Sequence, residues 1–289
     1  MSEDVQNKNS AAEEIRPDVL TTEDVCEMVP RLASHPKLVT SLLNFLKLDR
    51  INEVHRQCCT TPGPECAKRL LFESFNIDLR VDGTDVLNRL PEGAFITVSN
   101  HPYGALDGIA LIHLIGSRRP QFKVMVNMIL NRIGGLRQNF IAVDAWAQKD
   151  PSKRAVSVNG IRQCLRQLKD GEPMGFFPAG AMSKVDRHWQ LQDRPWQDSV
   201  LQIIHRANVP VVPVFFHGGN SQLFNVMGHL CWPLRSVMLP REVVRKTGKQ
   251  IHVSIGEPIT VEQQAPYRES PATLGAFLRE QTYALRQRK

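Results

Sequence analysis

No stretch of this 289-residue chain approaches the roughly 20 consecutive apolar residues of a membrane-spanning helix, because a charge, proline or glycine soon interrupts every hydrophobic run. Contact with a bilayer is therefore expected from one side only. The six cysteines (Cys26, Cys58, Cys59, Cys66, Cys164, Cys231) include no Cys-x-x-Cys pair and come with no histidine cluster at zinc-site spacing. Neither redox nor metal chemistry is expected, and no cofactor is implied. A reducing cytoplasm is the simpler setting for such thiols. The absence of Gly-x-Ser-x-Gly argues against a hydrolase elbow, and the absence of Gly-Lys-Ser/Thr against a phosphate-binding loop. The opening MSEDVQNKNSAAEE is acidic and polar where a secretory leader needs a basic start and an apolar core, so export is not expected.

What is present is an ordinary globular mixture, 42% hydrophobic and 22% charged, which excludes a wholly disordered or fibrous chain. The net charge of +7 favours acidic partners. An anionic lipid surface and an acidic carrier protein both fit; nucleic acid is not expected, since basic charge alone is a weak footprint.

Residues 1–18 are polar and expected to be mobile. Residues 19–78 read as a helical region: Leu38, Leu42, Leu43 and Leu46 recur at spacings of three and four, and Pro62, Gly63 and Pro64 break the run. From 79 to 260, short apolar strands alternate with helices. The strands are expected at Phe95–Ser99, Phe122–Val126, Phe140–Val143, Met174–Phe177, Val211–Phe216 and Ile251–Ile255. This is the pattern of an α/β core, a central, mostly parallel sheet flanked by helices. One helix, from about Ser152 to Gly171, is expected to turn Val158, Ile161, Leu165 and Leu168 inward; another, capped by Asp198, buries Val200, Leu201 and Ile204. Pro213 predicts an edge position or a bulge in its strand. Residues 261–289 read as a C-terminal helical segment whose Arg286, Arg288 and Lys289 form a solvated tail.

The chemistry gathers after the first of these strands, in Asn100-His101-Pro102-Tyr103-Gly104-Ala105-Leu106-Asp107. Strand-to-helix loops are where α/β folds place reactive groups. A histidine removes a proton from a hydroxyl only when its other ring nitrogen is held in the right tautomer, and a nearby carboxylate does that. His101 and Asp107 are candidates for this pair; equally, Asp107 caps the next helix and His101 is an ordinary loop residue. A second segment, Phe177-Pro178-Ala179-Gly180-Ala181-Met182-Ser183, ends an apolar run in small residues whose amides can approach an oxyanion closely. A plain turn around Gly180 is the simpler alternative.

In their order these segments resemble the PlsC-type glycerolipid acyltransferase superfamily. That family carries a histidine–aspartate motif, a block around a phenylalanine and an arginine, the run Phe-Pro-Glu-Gly-Thr-Arg-Ser, and a proline-flanked apolar strand. The counterparts are His101 to Asp107, Arg137 to Asp144, Phe177 to Ser183, and Val209 to Val214, so the likeness spans about residues 80–260. It implies catalysis by His101 and Asp107, with Asn100, Gly104, Arg137, Phe177, Pro178, Gly180 and Ser183 around the substrate. Two departures matter. Five residues rather than four separate histidine from aspartate, which Gly104 is suited to absorb. Ala179 and Met182 replace the family's glutamate and arginine, removing the groups expected to grip a phosphate, unless Arg137, Lys184 or Arg187 supplies the charge.

The wording around His101, together with Trp196-Gln197-Asp198 and Phe216-His217-Gly218-Gly219-Asn220-Ser221, looks most like the hemolysin-like branch, which includes the O-acyltransferases of ornithine and glycine lipids. The resemblance implies transfer from an acyl carrier protein or coenzyme A thioester to the 3-hydroxyl of an N-(3-hydroxyacyl) amino acid, glycine or ornithine; an ornithine side chain would want an acidic partner, which these blocks do not show, and that tips the reading slightly to glycine. It also implies peripheral attachment to the inner face of the cytoplasmic membrane. Leu38, Val39, Leu42, Leu43, Phe45 and Leu46, flanked by Lys37, Lys47 and Arg50, would either lie in the headgroup region or dock on the core. A lysophospholipid acyltransferase and a non-catalytic lipid-binding protein are the rival readings. His205, His217, His229 and His252 have no partner at ligand spacing and read as structural.

Overall fold

The computed structural model describes residues 15–143, 151–230, 235 and 237–287, without the side chains of 151–157 and 229–230. Asp144, His229, Cys231, Arg288 and Lys289 therefore lie outside the described residues or side chains, as does most of the polar segment 1–18.

The chain opens with four helices: α1 (Thr22–Met28), α2 (Pro36–Phe45), α3 (Leu48–Cys58) and α4 (Gly63–Lys68), the last running into a wide turn at Arg69–Ser74. Then come β1 (Asp78–Asp82), α5 (Thr84–Leu87), β2 (Ile96–Ser99), α6 (Ala105–Gly116), β3 (Lys123–Asn127), two 3-10 turns (Met128–Arg132 and Gly134–Asn139) and β4 (Phe140–Val143). After α7 (Pro151–Lys169) follow β5 (Met174–Phe176), a hairpin of β6 (Lys184–Val185) and β7 (Leu191–Gln192), α8 (Asp198–Ala207), β8 (Val211–His217) and α9 (Gln222–Leu230). The chain ends with α10 (Leu239–Arg245), β9 (Gln250–Ile255), α11 (Val261–Gln264) and α12 (Pro271–Ala284).

Seven strands make one sheet in the order β1-β9-β8-β2-β5-β3-β4, with every pair parallel except β8–β9. The fold is the α/β arrangement expected, a mostly parallel sheet flanked by helices. Alternate residues feed its two faces. Val212, Val214 and Phe216 join Ala67, Leu111 and Ile115 beneath α4 and α6, whereas Val211 joins Cys164, Leu168, Leu201, Ile204, Leu274 and Leu278 beneath α7, α8 and α12. Strands buried on both faces read as unbroken apolar runs, which made β2 and β8 visible in the sequence. β1 was not visible: Asp78-Leu79-Arg80-Val81-Asp82 is too polar to stand out, and it pairs with β9 at the sheet edge, where charge is favoured.

Three local expectations need correction. In α7, Leu168 is buried and Ile161 and Leu165 pack against the core as expected, but Val158 is exposed, and Gly160 and Cys164 complete the inward stripe. Gly160 packs against β4 so closely that a Cβ there would lie 2.6 Å from Val143 Cγ1 and 2.9 Å from the Ala142 carbonyl. In α8 the capping position belongs to Gln197, with Asp198 in the first turn, where its charge still favours the helix dipole. Pro213 lies in an interior strand, not at an edge. Between the Val214–Ile255 pair and the Val211–Ile259 bridge, β9's continuation holds one residue more than β8, so the proline sits at a bulge that asks no amide of it.

The N-terminal helices reach the core through backbone contacts that admit no side chain. A Cβ on Gly135 would meet the carbonyl oxygens of Thr61 at 2.5 Å and Cys58 at 2.9 Å, and the Cys66 sulfur at 2.6 Å. Gly135→Ala is expected to lower unfolding stability by about 1–3 kcal/mol in chemical denaturation. Gly93→Ala, with nothing within 4 Å, should stay within about 0.5 kcal/mol of wild type.

Candidate active site

The end of β2 delivers His101 to the carboxyl edge of the sheet, and the first turn of α6 delivers Asp107. His101 Nδ1 lies 2.9 Å from Asp107 Oδ2. The same oxygen accepts the Tyr103 and Gly104 amides, each at 2.9 Å. Capping the helix and holding the imidazole are thus one act of one carboxylate. Gly104, at φ +76, turns the five-residue loop back; a Cβ there would lie 2.9 Å from both Leu239 Cδ1 and Met182 Sδ. Asp107 is fully buried, and burial pushes its carboxyl above the ordinary range while the bonds from His101 and the two amides pull it down. As carboxylate, Asp107 has no proton to give, so Nδ1 is the donor and Nε2 keeps its lone pair for a substrate. The Phe177 ring stacks on the imidazole with centroids 4.1 Å apart, limiting its rotation.

Behind the dyad, Asp193 does what no motif announced. Its Oδ1 accepts the His101 amide at 3.2 Å and the Ser183 hydroxyl at 2.5 Å, and the Ser183 amide donates to the His101 carbonyl at 2.8 Å. Its own amide donates to the Tyr283 hydroxyl on α12 at 2.9 Å, and Arg279 donates to its carbonyl. Burial pushes the Asp193 carboxyl up, against the pull of Ser183. Arg235, fully buried, donates to the Ser183 carbonyl; burial and repulsion from Arg194 bring its guanidinium down to about 10. Nothing local in the sequence signals Asp193 or Arg235, since their partners lie tens of residues away.

Other expected contacts fall elsewhere. Asn100 uses both amide atoms on β8, donating to the Phe216 carbonyl at 2.8 Å and accepting its amide at 2.7 Å, so it extends the sheet rather than offering those atoms to a ligand. Pro178 accepts the Gln197 amide. The Gly180 amide closes the expected turn, at φ +62, onto the Phe177 carbonyl at 2.9 Å, so of the amides around it this one is already used. The amides of Ala181 and Met182 keep no acceptor among the described residues. Arg137 stands three residues before β4, the strand farthest from β2 on its side of the sheet, and at the edge where strands begin; its Nε donates to the Asn131 carbonyl. Ala179 is buried beneath α8, and Met182 in the cluster formed by α2, Phe224 and Met238.

A cavity of about 580 Å³ opens beside Asn100, lined also by Leu191, Phe215, His217, Asn220 and Arg286. His217 and His252 are held in structural contacts: their rings stack at 4.1 Å, His217 pairs with Ser254 and His252 with Asp82. His205 bonds the Arg268 carbonyl. Among the described residues no three His, Cys, Asp or Glu side chains form a metal cluster.

No serine or cysteine among the described residues hydrogen-bonds to His101 Nε2. An acyltransferase family model matches residues 24–288, and the chain belongs to that acyltransferase family. It is 25% identical over 216 residues to the lyso-glycine lipid O-acyltransferase of Bacteroides thetaiotaomicron, covering 72% of this chain and 76% of that one. It is also 25% identical over 259 residues to the lyso-glycine lipid O-acyltransferase of Phocaeicola vulgatus, covering 86% and 88%. The crystal structure of the 1-acyl-sn-glycerophosphate acyltransferase PlsC from Thermotoga maritima aligns over 78% of this chain and 80% of its own, with a TM-score of 0.48 and 16% identity.

Asp193→Ala strips a buried acceptor from the His101 amide and the Ser183 hydroxyl. Denaturation should show a loss of about 1–3 kcal/mol, and a variant as stable as wild type would mean that these donors find other partners.

Proposed function

We propose that this acyltransferase moves a fatty acyl group from an acyl carrier protein or coenzyme A thioester to the 3-hydroxyl of an N-(3-hydroxyacyl) amino acid, with glycine as the amino acid. The observation that carries the acceptor class is the packing of Ala179 and Met182 into apolar clusters, where the resembling superfamily has a glutamate and an arginine. An acceptor ending in a carboxylate has no need of a phosphate grip there. The names of the two bacterial relatives support glycine.

In the proposed reaction His101 Nε2 takes the proton of the acceptor hydroxyl as its oxygen attacks the thioester carbonyl. Asp107 holds the tautomer and stabilises the imidazolium. The carbonyl oxygen gathers negative charge, and the Ala181 and Met182 amides are the donors suited to it. Collapse forms the ester and breaks the carbon–sulfur bond; the leaving thiolate regains the proton from the imidazolium. His101→Ala and Asp107→Asn should each lower transfer by about a hundred- to ten-thousand-fold while the thermal midpoint stays close to wild type. Offering the purified enzyme N-(3-hydroxyacyl)glycine, the ornithine equivalent and 1-acylglycerol 3-phosphate decides the acceptor; preference for the phosphate would overturn this reading.

The same proposal seats the enzyme on the inner face of the cytoplasmic membrane. No helix among the described residues is long and apolar enough to cross a bilayer. α2 instead divides its apolar residues: Val39, Leu43 and Leu46 dock on the core, while Leu38, Leu42 and Phe45 are exposed by 60%, 40% and 57%. Lys37 and Lys47 are exposed on the same helix or at its end, and Arg241 lies over the Phe45 ring at 4.3 Å. This composition suits an anionic headgroup layer. Combining Leu38→Gln with Phe45→Gln should weaken co-sedimentation with anionic vesicles at least about tenfold, and leave stability within about 0.5 kcal/mol. Unchanged vesicle binding would place the membrane contact elsewhere.

A further inference from the structure

The hairpin of β6 and β7 carries at its tip a tryptophan that the fold turns outward. Trp189 is 68% exposed, more than any other large apolar side chain among the described residues. Its backbone is left-handed, at φ +59. A bulky residue rarely adopts that conformation, which turns usually give to glycine or asparagine. The turn is nevertheless firmly made. The Asp186 carboxylate accepts the His188 amide at 2.7 Å and the Gln190 amide at 3.0 Å, the Asp186 carbonyl accepts the Trp189 amide at 3.1 Å, and the Asp186 amide donates to the Gln190 carbonyl at 2.9 Å. Bonds that converge on one residue thus hold an indole in solvent at a backbone cost. Strain maintained in this way is a mark of places where a side chain has a use outside the fold.

The surroundings of Trp189 indicate that use. Lys184 and Arg187 are exposed on the same hairpin, and the exposed Arg286 lines the same cavity as Trp189. None of the three forms an ion pair among the described residues; Arg187 donates only to the neighbouring His188 ring. α9, which also borders that cavity, adds Leu223 at 53% exposure. An indole among unpaired cations fits the headgroup layer of an anionic bilayer, where the ring lies at the boundary of polar and apolar and lysine and arginine meet lipid phosphates. An acidic carrier protein would meet the cations but would give the indole no apolar layer to enter. We propose that the β6–β7 hairpin is a second membrane contact, with Trp189 entering the interface of an anionic bilayer and Lys184, Arg187 and Arg286 facing its headgroups. The assignment rests on the proposed seating of the enzyme at a membrane and deepens it by naming an element apart from α2.

The hairpin is rooted behind the dyad. It leaves from Ser183 and returns at Asp193, which bond each other at 2.5 Å and hold the carbonyl and the amide of His101. Met182, one residue before this root, shares a cluster with Val39 and Leu43 of α2. At strand spacing, residues 184–192 reach at most about 17 Å from root to tip. A bilayer entered by Trp189 therefore lies within that distance of the residues that hold the His101 backbone, and the root of the hairpin packs with the helix whose outer face is exposed.

Trp189→Gly separates the contact from folding, because glycine accepts the left-handed backbone that tryptophan disfavours. The thermal midpoint should hold or rise. Co-sedimentation of the full-length protein with vesicles of equal parts phosphatidylglycerol and phosphatidylcholine should weaken at least about fivefold. Lys184→Gln combined with Arg187→Gln should weaken it about tenfold and leave binding to phosphatidylcholine alone unchanged. Brominated phosphatidylcholine in the mixed vesicles should quench the fluorescence of the wild type more than that of Trp189→Phe, a comparison that stands whatever the midpoint does. Full binding by Trp189→Gly, or equal quenching of wild type and Trp189→Phe, overturns the assignment and leaves α2 as the seat. Binding lost with the two cations but kept by Trp189→Gly overturns it too, and points to an acidic protein surface. A wild type that does not bind the mixed vesicles overturns the proposed seating, and the assignment falls with it.

Discussion

A single oxygen, Asp107 Oδ2, organises the site. It accepts from His101 Nδ1 and from the backbone of Tyr103 and Gly104, all at 2.9 Å. The contact sets the imidazole's tautomer, the path of the loop after β2 and the start of α6 at once. Burying a carboxylate completely is costly unless donors meet it; three converge on Oδ2, two of them from the loop itself, while the buried Oδ1 has no partner among the described residues. The helix dipole favours charge at this end as well. Changing the loop would therefore move the imidazole, because both are held by the same atom.

Around that point the chain ties distant segments to His101 through its backbone. Asp193 holds the His101 amide, Ser183 holds its carbonyl, and Tyr283 from α12 holds Asp193 in turn. Phe177 packs on the ring from the end of β5. The imidazole is positioned by the strand it follows, by the turn after β5 and by the C-terminal helix together. An imidazole held in this way would need little reorganisation to act as the base of the proposed reaction. The apolar surroundings of Ala179 and Met182 make one wall of this region dry, while the cavity beside Asn100 keeps amide groups and a guanidinium on the other. That division of polarity is what an acceptor with a hydrocarbon body and a small polar head would meet.

How far the sequence disclosed this arrangement depends on the length scale of each signal. The buried strands were legible because a strand covered on both faces must be apolar throughout; β1, exposed at the edge, obeys no such rule. In α7 only Val158 was misplaced, because the inward position next to it belongs to Gly160, which packs by having no side chain and so carries no hydrophobic signal. The juxtaposition of His101 and Asp107 was suggested by a six-residue separation across a strand–helix junction, a local matter. The turn at Gly180 was legible, being a bond between residues three apart, whereas the use of Asn100 on β8 and the remote place of Arg137 were hidden, since each depends on how the sheet is assembled.

By themselves the residues in order determined the α/β class, the loop in which imidazole and carboxylate meet, and the apolar residues standing where a phosphate ligand would be. These follow from periodicity, turn chemistry and side-chain type, all of which act over a few positions. Only the tertiary structure decided that Asp193, Ser183 and Tyr283 brace the backbone at His101, and that Asn220 and Asn225 line the cavity beside Asn100. Hydrogen bonds form between whatever groups packing brings within about 3 Å, and no pattern along the chain records which groups those are.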